Sequence, residues 1–323
     1  MSTTRTRRSL AAVTILTALI LAVAGALALA GCGSDASAGV EASPAASASS
    51  GPITVTDGTG VTVTMDQPAT RIVSLAPANT EIAYAIGAGD KMVAGTSYDD
   101  YPEEAKSLPR TGDFANPNVE KIASFNPDLV LAAGGLQDKL RGKLEDLGMK
   151  VYVVDPKTYD GVITDISNLG RLTGFTAQAQ QVADTMQKAR DDVQAQVASA
   201  TRPVTFLEIY SKPLMTAGGE TFIDDMITLA GGANLGATAG PGFPTFSTEV
   251  LFKNDPDVYI ADSGSMSKPG DITKRAGFDV LTAVKDGHVY VIADSIIARP
   301  GPRLAQGLQE LARMIHPEAA SAQ

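Results

Sequence analysis

FANPNVEKIASFNPDLVLAAGG runs from Phe114 to Gly135, and FPTFSTEVLFKNDPDVYIADSG runs from Phe243 to Gly264. Laid at one offset, Phe114 falls on Phe243, Glu120 on Glu249, Pro127 on Pro256 and Asp128 on Asp257. Each copy reads as a loop, a short helix and a buried strand, with Pro-Asp stopping the helix. Helix, Pro-Asp, strand is a common order in α/β proteins, and the copies share few identities, so chance likeness stands beside kinship. The coincidence of Phe, Glu and Pro at one offset favours two similar halves facing each other.

The flanking sequence extends this pattern. Short apolar runs begin at Arg71 (RIVSL), Met92 (MVAGT), Asp128 (DLVLAA) and Lys150 (KVYVV), separated by helical stretches. Strands alternating with helices predict a parallel sheet covered on both faces. After Asp160 the pattern changes. Thr176–Ala200 sets Val182, Met186, Ala189, Val193 and Val197 at helical spacing, uninterrupted by Pro or Gly, with Thr176 available as a cap. Alternation resumes at Pro203 (PVTFLEIY), Asp257 (DVYIA) and His288 (HVYVI), and a last helix starts at Pro302 and stops before Pro317. Ahead of the sheets, Ile53–Met65 alternates on both sides of Asp57-Gly58 and reads as a hairpin, with Gly supplying the turn.

The chain has 323 residues, room for about two domains. It is 44% hydrophobic and 5% aromatic, which permits a full core in each half. Net charge is −10, and the basic N-terminus leaves the body more acidic still. An acidic body argues against nucleic acid, which needs clustered Lys and Arg.

The N-terminus reads as an address. Arg5, Arg7 and Arg8 precede an apolar run from Leu10 to Ala30 that ends in LAGC, Leu29–Cys32. A basic region, an apolar region and small residues before a cleavage point describe a secretory signal. Cys32, the sole cysteine, follows at once. The arrangement looks like a bacterial lipoprotein signal, with cleavage before Cys32 and lipidation of its thiol, and an uncleaved transmembrane anchor is the rival. Residues 33–51 are rich in Ala and Ser and read as a tether, since they lack the apolar surface to offset ordering.

In both copies an aromatic in a Gly/Pro-rich loop precedes a glutamate by six residues. Loops of this kind gather at the carboxyl ends of parallel strands, where ligands bind. Two lobes meeting there predict a cleft with Phe114 on one wall and Phe243 on the other, suited to a large flat ligand. A lone Phe in such a place more often plugs its own core. Glu120 and Glu249 fall in the first turns of their helices, where an acid complements the dipole for ~0.3–1 kcal/mol. A matched pair, one per lobe, also suits docking onto a two-fold partner with one basic site per subunit.

From Arg71 to Pro317 the chain resembles the extracytoplasmic substrate-binding proteins of ABC importers for cobalamin, ferric siderophores and heme, nearest to the cobalamin branch. RIVSLAPANTEIAYAIGAGDKMVAGTSYDDYPEEA from Arg71 carries the resemblance most specifically, and MTAGGETFIDDMITLAGGANL and ARPGPRL follow in family order. The resemblance implies two doubly wound α/β lobes, here 52–160 and 202–323, joined through 161–201 by a single long rigid helix, with the ligand between them. It implies that Glu120 and Glu249 dock on arginines of a permease dimer that works with its ATPase subunits. Tyr98 matches a cleft tyrosine, and Phe114 and Phe243 stand where the cobalamin relative has tryptophan. Asp294 and Arg299 fall in the region that closes the cleft, though a surface salt bridge accounts equally for them. Glu81, in NTEIAYAIG, reads as an acid near a helix start.

The expected protein is a lipid-anchored, monomeric importer component that binds a corrinoid, or alternatively a ferric siderophore or heme, with no cofactor of its own. Tyr98, Tyr101 and Tyr210 are the available tyrosines for heme iron. His288 and His316 are the only histidines, too few for a dedicated zinc site. An extracytoplasmic enzyme is the rival of different class, but G-x-S-x-G, P-loop, G-x-G-x-x-G and H-E-x-x-H motifs are all missing.

Overall fold

The computed structural model describes residues 51–265 and 268–320. The signal, Cys32 and almost all of the tether lie outside them.

Ile53–Thr56 (β1) and Thr62–Met65 (β2) pair antiparallel, Ile53 opposite Met65. The turn differs from the expected one in which glycine does what. Gly60 takes the left-handed conformation, φ 83°. Gly58 has no side chain because a Cβ there would collide with the Asp155 backbone. The Asp57 carboxylate organises the loop, accepting N–H groups from Thr59 and Val61 at 3.0 Å and one from Val153 at 3.1 Å.

Ile72–Ser74 (β3), Met92–Ala94 (β4), Leu129–Ala133 (β5) and Lys150–Val154 (β6) form a parallel sheet in the order β4-β3-β5-β6. Their side chains alternate between two buried faces. Ile72, Leu129, Leu131, Tyr152 and Val154 pack on Ile82 of helix α1, Pro77–Ala85. Val73, Val130, Val151 and Val153 pack on Ile122 of α2, Val119–Ser124, and Leu144 of α3, Arg141–Glu145. Burial on both sides explains why these strands read as continuous apolar runs.

The passage to the second sheet runs through Tyr159–Thr173 (α4) and Thr176–Val197 (α5). Two helices therefore lie where the sequence suggested one. Gly161 and Gly170 blur the helical signature of α4. Gly170 is required there, because a Cβ would overlap Ala179 where α5 packs against α4. Thr176 is not a cap: α5 begins at that residue, with Phe175 at the capping position and no side-chain cap.

Val204–Ser211 (β7), Leu214–Thr216 (β8), Ala233–Asn234 (β9), Val258–Asp262 (β10) and Val289–Ile292 (β11) build the second sheet in the order β11-β10-β7-β8, with β9 also on β7. All of its pairings are parallel except β7 with β8, an antiparallel edge that the sequence reading lacked. Leu207, Val258, Ile260 and Ile292 face Met226 of α6, Phe222–Leu229, with Leu308 and Leu311 from near the C-terminus. Phe206, Tyr259 and Ala261 face Leu251 of α7, Thr248–Asn254, Ile272 of α8, Pro269–Ile272, and Ala283 of α9, Thr282–Lys285. Asp294–Ile297 (α10), Leu304–Ile315 (α11) and Pro317–Ala320 (α12) close the fold.

The inner faces of both sheets belong to one hydrophobic core. It passes through Ile166 and Leu169 of α4 and Met186 and Val193 of α5 to Ile223 of α6 and Leu311 of α11. At ~25 cal/mol per Å² of apolar surface removed from water, this shared face is the main force holding the halves together.

Candidate ligand cleft

The duplicated segments repeat at the level of single atoms. Asn126 and Asp255, at equivalent positions before the prolines, both adopt positive φ, 46° and 42°. Short polar side chains tolerate this conformation better than others. The next carboxylate then fastens each inner strand to its neighbour. Asp128 accepts the N–H groups of Thr70 (2.8 Å) and Arg71 (3.1 Å) ahead of β3. Asp257 accepts the N–H of Val204 at the head of β7 (2.7 Å). The Asp128 and Asp257 N–H groups return bonds to the Arg71 and Val204 carbonyls.

The Phe114 loop lies at the carboxyl ends of β3 and β5, and the Phe243 loop runs alongside the edge strand β8. Phe114 precedes α2 and is half-buried. Its carbonyl accepts from Gln137 Nε2 at 2.8 Å. The buried Gln137 amide also donates to the Leu75 carbonyl and accepts the Ala133 N–H, so it ties this loop to the ends of β3 and β5. Phe243 precedes α7 and is 48% exposed. Its loop is zipped to the loop before α6: Gly218 N–H donates to Gly242 O, Gly219 N–H to Gly240 O, and Gly242 N–H to Gly219 O, at 2.8–3.0 Å.

Phe114 and Phe243 line one cleft of about 740 Å³. The first half adds Gly134, Gly135, Asp138, Asp155, Pro156 and Lys157, and the second adds Glu220, Thr221, Phe222, Pro241 and Gly242. Gly134 is bare because the Asp155 side chain lies where its Cβ would be. Lys157 Nζ bonds both Asp155 oxygens at 2.9 Å, and Asp138 accepts the Gly135 N–H at 3.1 Å. Glu220 has no such partner among the described residues. Three carboxylates against one committed ammonium give the cleft an excess of negative charge.

Glu120 and Glu249 are exposed in the first turns of α2 and α7, with no ion-pair partner among the described residues. Each is six residues from a cleft phenylalanine.

Other candidates stand elsewhere. Tyr98, Tyr101 and Tyr210 are exposed and are not part of this cleft lining. Asp294 accepts the Ser263 hydroxyl (3.1 Å) while its own N–H donates back (2.9 Å), which fastens α10 to the loop after β10. Arg299 is engaged by the first half, donating to Glu81 Oε1 (3.0 Å) and to Asp100 (2.5 and 3.2 Å). Arg303 grips Glu81 with two more bonds (2.8 and 2.6 Å) and stacks 4.4 Å from the Tyr101 ring centre. Hydrogen bonds from Arg299 hold the Asp100 carboxyl below its ordinary range, against burial. Glu81 is 3% exposed and lies past the first turn of α1, so its role is this bridge between halves and not the helix dipole. Asp138, Asp155, Lys157 and Glu220 were missed by the sequence reading. Asp155 and Lys157 directly follow β6, and that position was the signal available.

Among the described residues no three or more His, Cys, Asp or Glu side chains gather as a metal site, and no helix is long and apolar enough to cross a membrane.

A family profile described as periplasmic binding protein matches residues 72–295. The chain belongs to that family. It is 34% identical over 276 residues to the uncharacterized ABC transporter substrate-binding lipoprotein YvrC of Bacillus subtilis, covering 83% of this chain and 86% of the relative. It is 34% identical over 208 residues to the vitamin B12-binding protein of Yersinia pestis, covering 64% and 74%. The crystal structure of the periplasmic vitamin B12 binding protein BtuF of Vibrio cholerae superposes with a TM-score of 0.71 at 31% identity, covering 79% of this chain and 99% of BtuF. This member of the periplasmic binding protein family is a substrate-binding component of an ABC importer and not an enzyme.

Proposed function

We propose that this protein captures a corrinoid of the cobalamin kind in the cleft between its halves and delivers it to an ABC permease. The observation that carries this reading is that one phenylalanine from each half lines a single acid-rich cleft. Two aromatic residues in one cleft suit a flat macrocycle. The excess of carboxylates opposes anionic cargo such as the propionates of heme or an anionic ferric chelate. A corrinoid fringe is largely neutral amide. Heme iron calls for an axial His, Tyr, Cys or Met from the protein, and the lining named above contains none. Cobalamin carries its own axial ligands. On this reading the protein needs no cofactor, since the metal travels inside the cargo.

Delivery rests on Glu120 and Glu249, two exposed carboxylates at matched places beside the cleft, meeting basic sites on a permease dimer. Lipidation at Cys32 holds the monomer at the outer face of the membrane. The decisive experiment is calorimetric titration of residues 52–323 with cyanocobalamin, hemin and ferric siderophores. Cyanocobalamin should bind tightest, and tighter binding of hemin or a siderophore would overturn the assignment.

A further inference from the structure

The cleft contains one acid whose position the fold enforces at a conformational penalty. Glu220 has φ 59°. For a long, unbranched acid this left-handed conformation is uncommon and strained, and such strain persists only where the surroundings impose it. The surroundings are clear. On one side Gly218 and Gly219 are hydrogen-bonded to the Gly240–Gly242 strip, and a Cβ on Gly218 would run into the Gly240 carbonyl. On the other, Thr221 caps α6, its hydroxyl accepting the Asp224 N–H (3.1 Å) and donating to Gly218 O (2.9 Å). Glu220 is thus clamped between a helix start and the loop that carries Phe243.

The other lining carboxylates are occupied, Asp155 by Lys157 and Asp138 by the Gly135 N–H. Glu220 is exposed, and its carboxylate makes no bond to any described residue. An ionised carboxylate only accepts hydrogen bonds. It therefore suits ligand N–H groups and repels a ligand carboxylate brought to the same place.

We infer that Glu220 sets the charge preference of the cleft, accepting amide N–H groups from the fringe of the cargo and turning away cargo that presents a carboxylate there. This rests on the corrinoid reading above and adds the residue that distinguishes an amide from its hydrolysed form. Loss of one hydrogen bond plus gain of like charge makes the discrimination large for a single atom exchange.

The test compares cyanocobalamin with each of its monocarboxylate isomers, made by hydrolysing one peripheral propionamide, on wild type, Glu220→Gln and Glu220→Gly. Glycine adopts the backbone conformation freely, so the second variant guards against misfolding. Wild type should bind cyanocobalamin at least about tenfold tighter than one of the isomers, and both variants should bring that ratio within about threefold. The wild-type ratio should also shrink as salt is raised, because the discrimination is partly Coulombic. A purely structural Glu220 would shift all dissociation constants together, and unchanged ratios for every isomer would overturn the inference. Should wild type bind no corrinoid, the proposed cargo falls on its own account and Glu220 is judged with hemin. Tighter hemin binding by Glu220→Gln then supports its role, and unchanged binding refutes it. Failure to bind any of these ligands refutes both readings.

Discussion

The segment ending in β5 and the segment ending in β10 share a backbone but not a way of holding their tips. Both turn at a positive-φ residue, both pass through Pro-Asp, and both use the aspartate to fasten the adjacent strand. The first tip is anchored from beneath, with Gln137 holding the Phe114 carbonyl and the Asn118 side chain capping α2. The second tip has no side-chain cap at Ser247, and Phe243 stands more open on a strip of glycines. The strand-fastening core of the motif is common to both, while each tip has its own support. One wall of the cleft is thus held by side chains from beneath and the other by a backbone zipper beside it.

The harshest challenge to the comparison is functional. Glu120→Arg with Glu249→Arg should abolish corrinoid uptake by cells while leaving the dissociation constant of the purified protein unchanged, and the two single reversals should be about equally damaging. Normal uptake in the double variant removes the docking role, and unequal singles break the equivalence of the tips. The rings come next. Phe114→Ala and Phe243→Ala should both weaken cyanocobalamin binding by about tenfold or more. Only Phe114→Ala should also lower folding stability appreciably, by about 2 kcal/mol in urea denaturation, because its ring is more buried. Equal stability losses would show that the walls are built alike.

A smaller difference is expected at the strand fasteners. Asp128→Ala removes two backbone partners and the Thr70 hydroxyl bond and should cost about 2 kcal/mol. Asp257→Ala removes one strand-head partner and should cost about 1 kcal/mol by the same measurement. The reverse order would mean that the second half depends more on this motif. The mildest effect separates two buried tyrosine–acid pairs. Tyr259 in β10 donates to Glu208, which Arg275 also engages. Tyr152 in β6 donates to Asp165 at 2.6 Å, with no cation bonded to that acid among the described residues. Burial, with the Asp57 and Asp155 charges adding to it and the Tyr152 bond opposing, pushes Asp165 up to about 7. Its folded value lies above its unfolded one. Its contribution is therefore fully present below about pH 4 and is lost as pH rises through about 7. Asp165→Asn keeps an acceptor for Tyr152 and should flatten the decline in urea midpoint between about pH 4 and 7. A profile parallel to wild type would exclude Asp165 as the source.

Most of the fold was legible because strands buried on both faces leave unbroken apolar runs, as in LVLAA and KVYVV. β8 and β9, three and two residues long, carry no such run, and the glycine that α4 needs against α5 hid its helical period. The rings and the lobe-tip glutamates emerged from the duplication. Asp138, Asp155, Lys157 and Glu220 did not, because membership of a cleft depends on which distant loops converge. Arg299 shows the same limit from the other side: its partners Glu81 and Asp100 are some two hundred residues away, and nothing local signals that they meet.

The inner faces of both sheets melt into a single oily interior by way of α4 and α5. Cutting the gene near Ala200 would leave each fragment with a bare greasy flank, Ile166 and Met186 on one and Ile223 and Leu311 on the other. Neither fragment should survive alone. Heat should therefore take the intact molecule apart in one cooperative step, and cargo seated at the lip should raise the melting point of residues far beneath it.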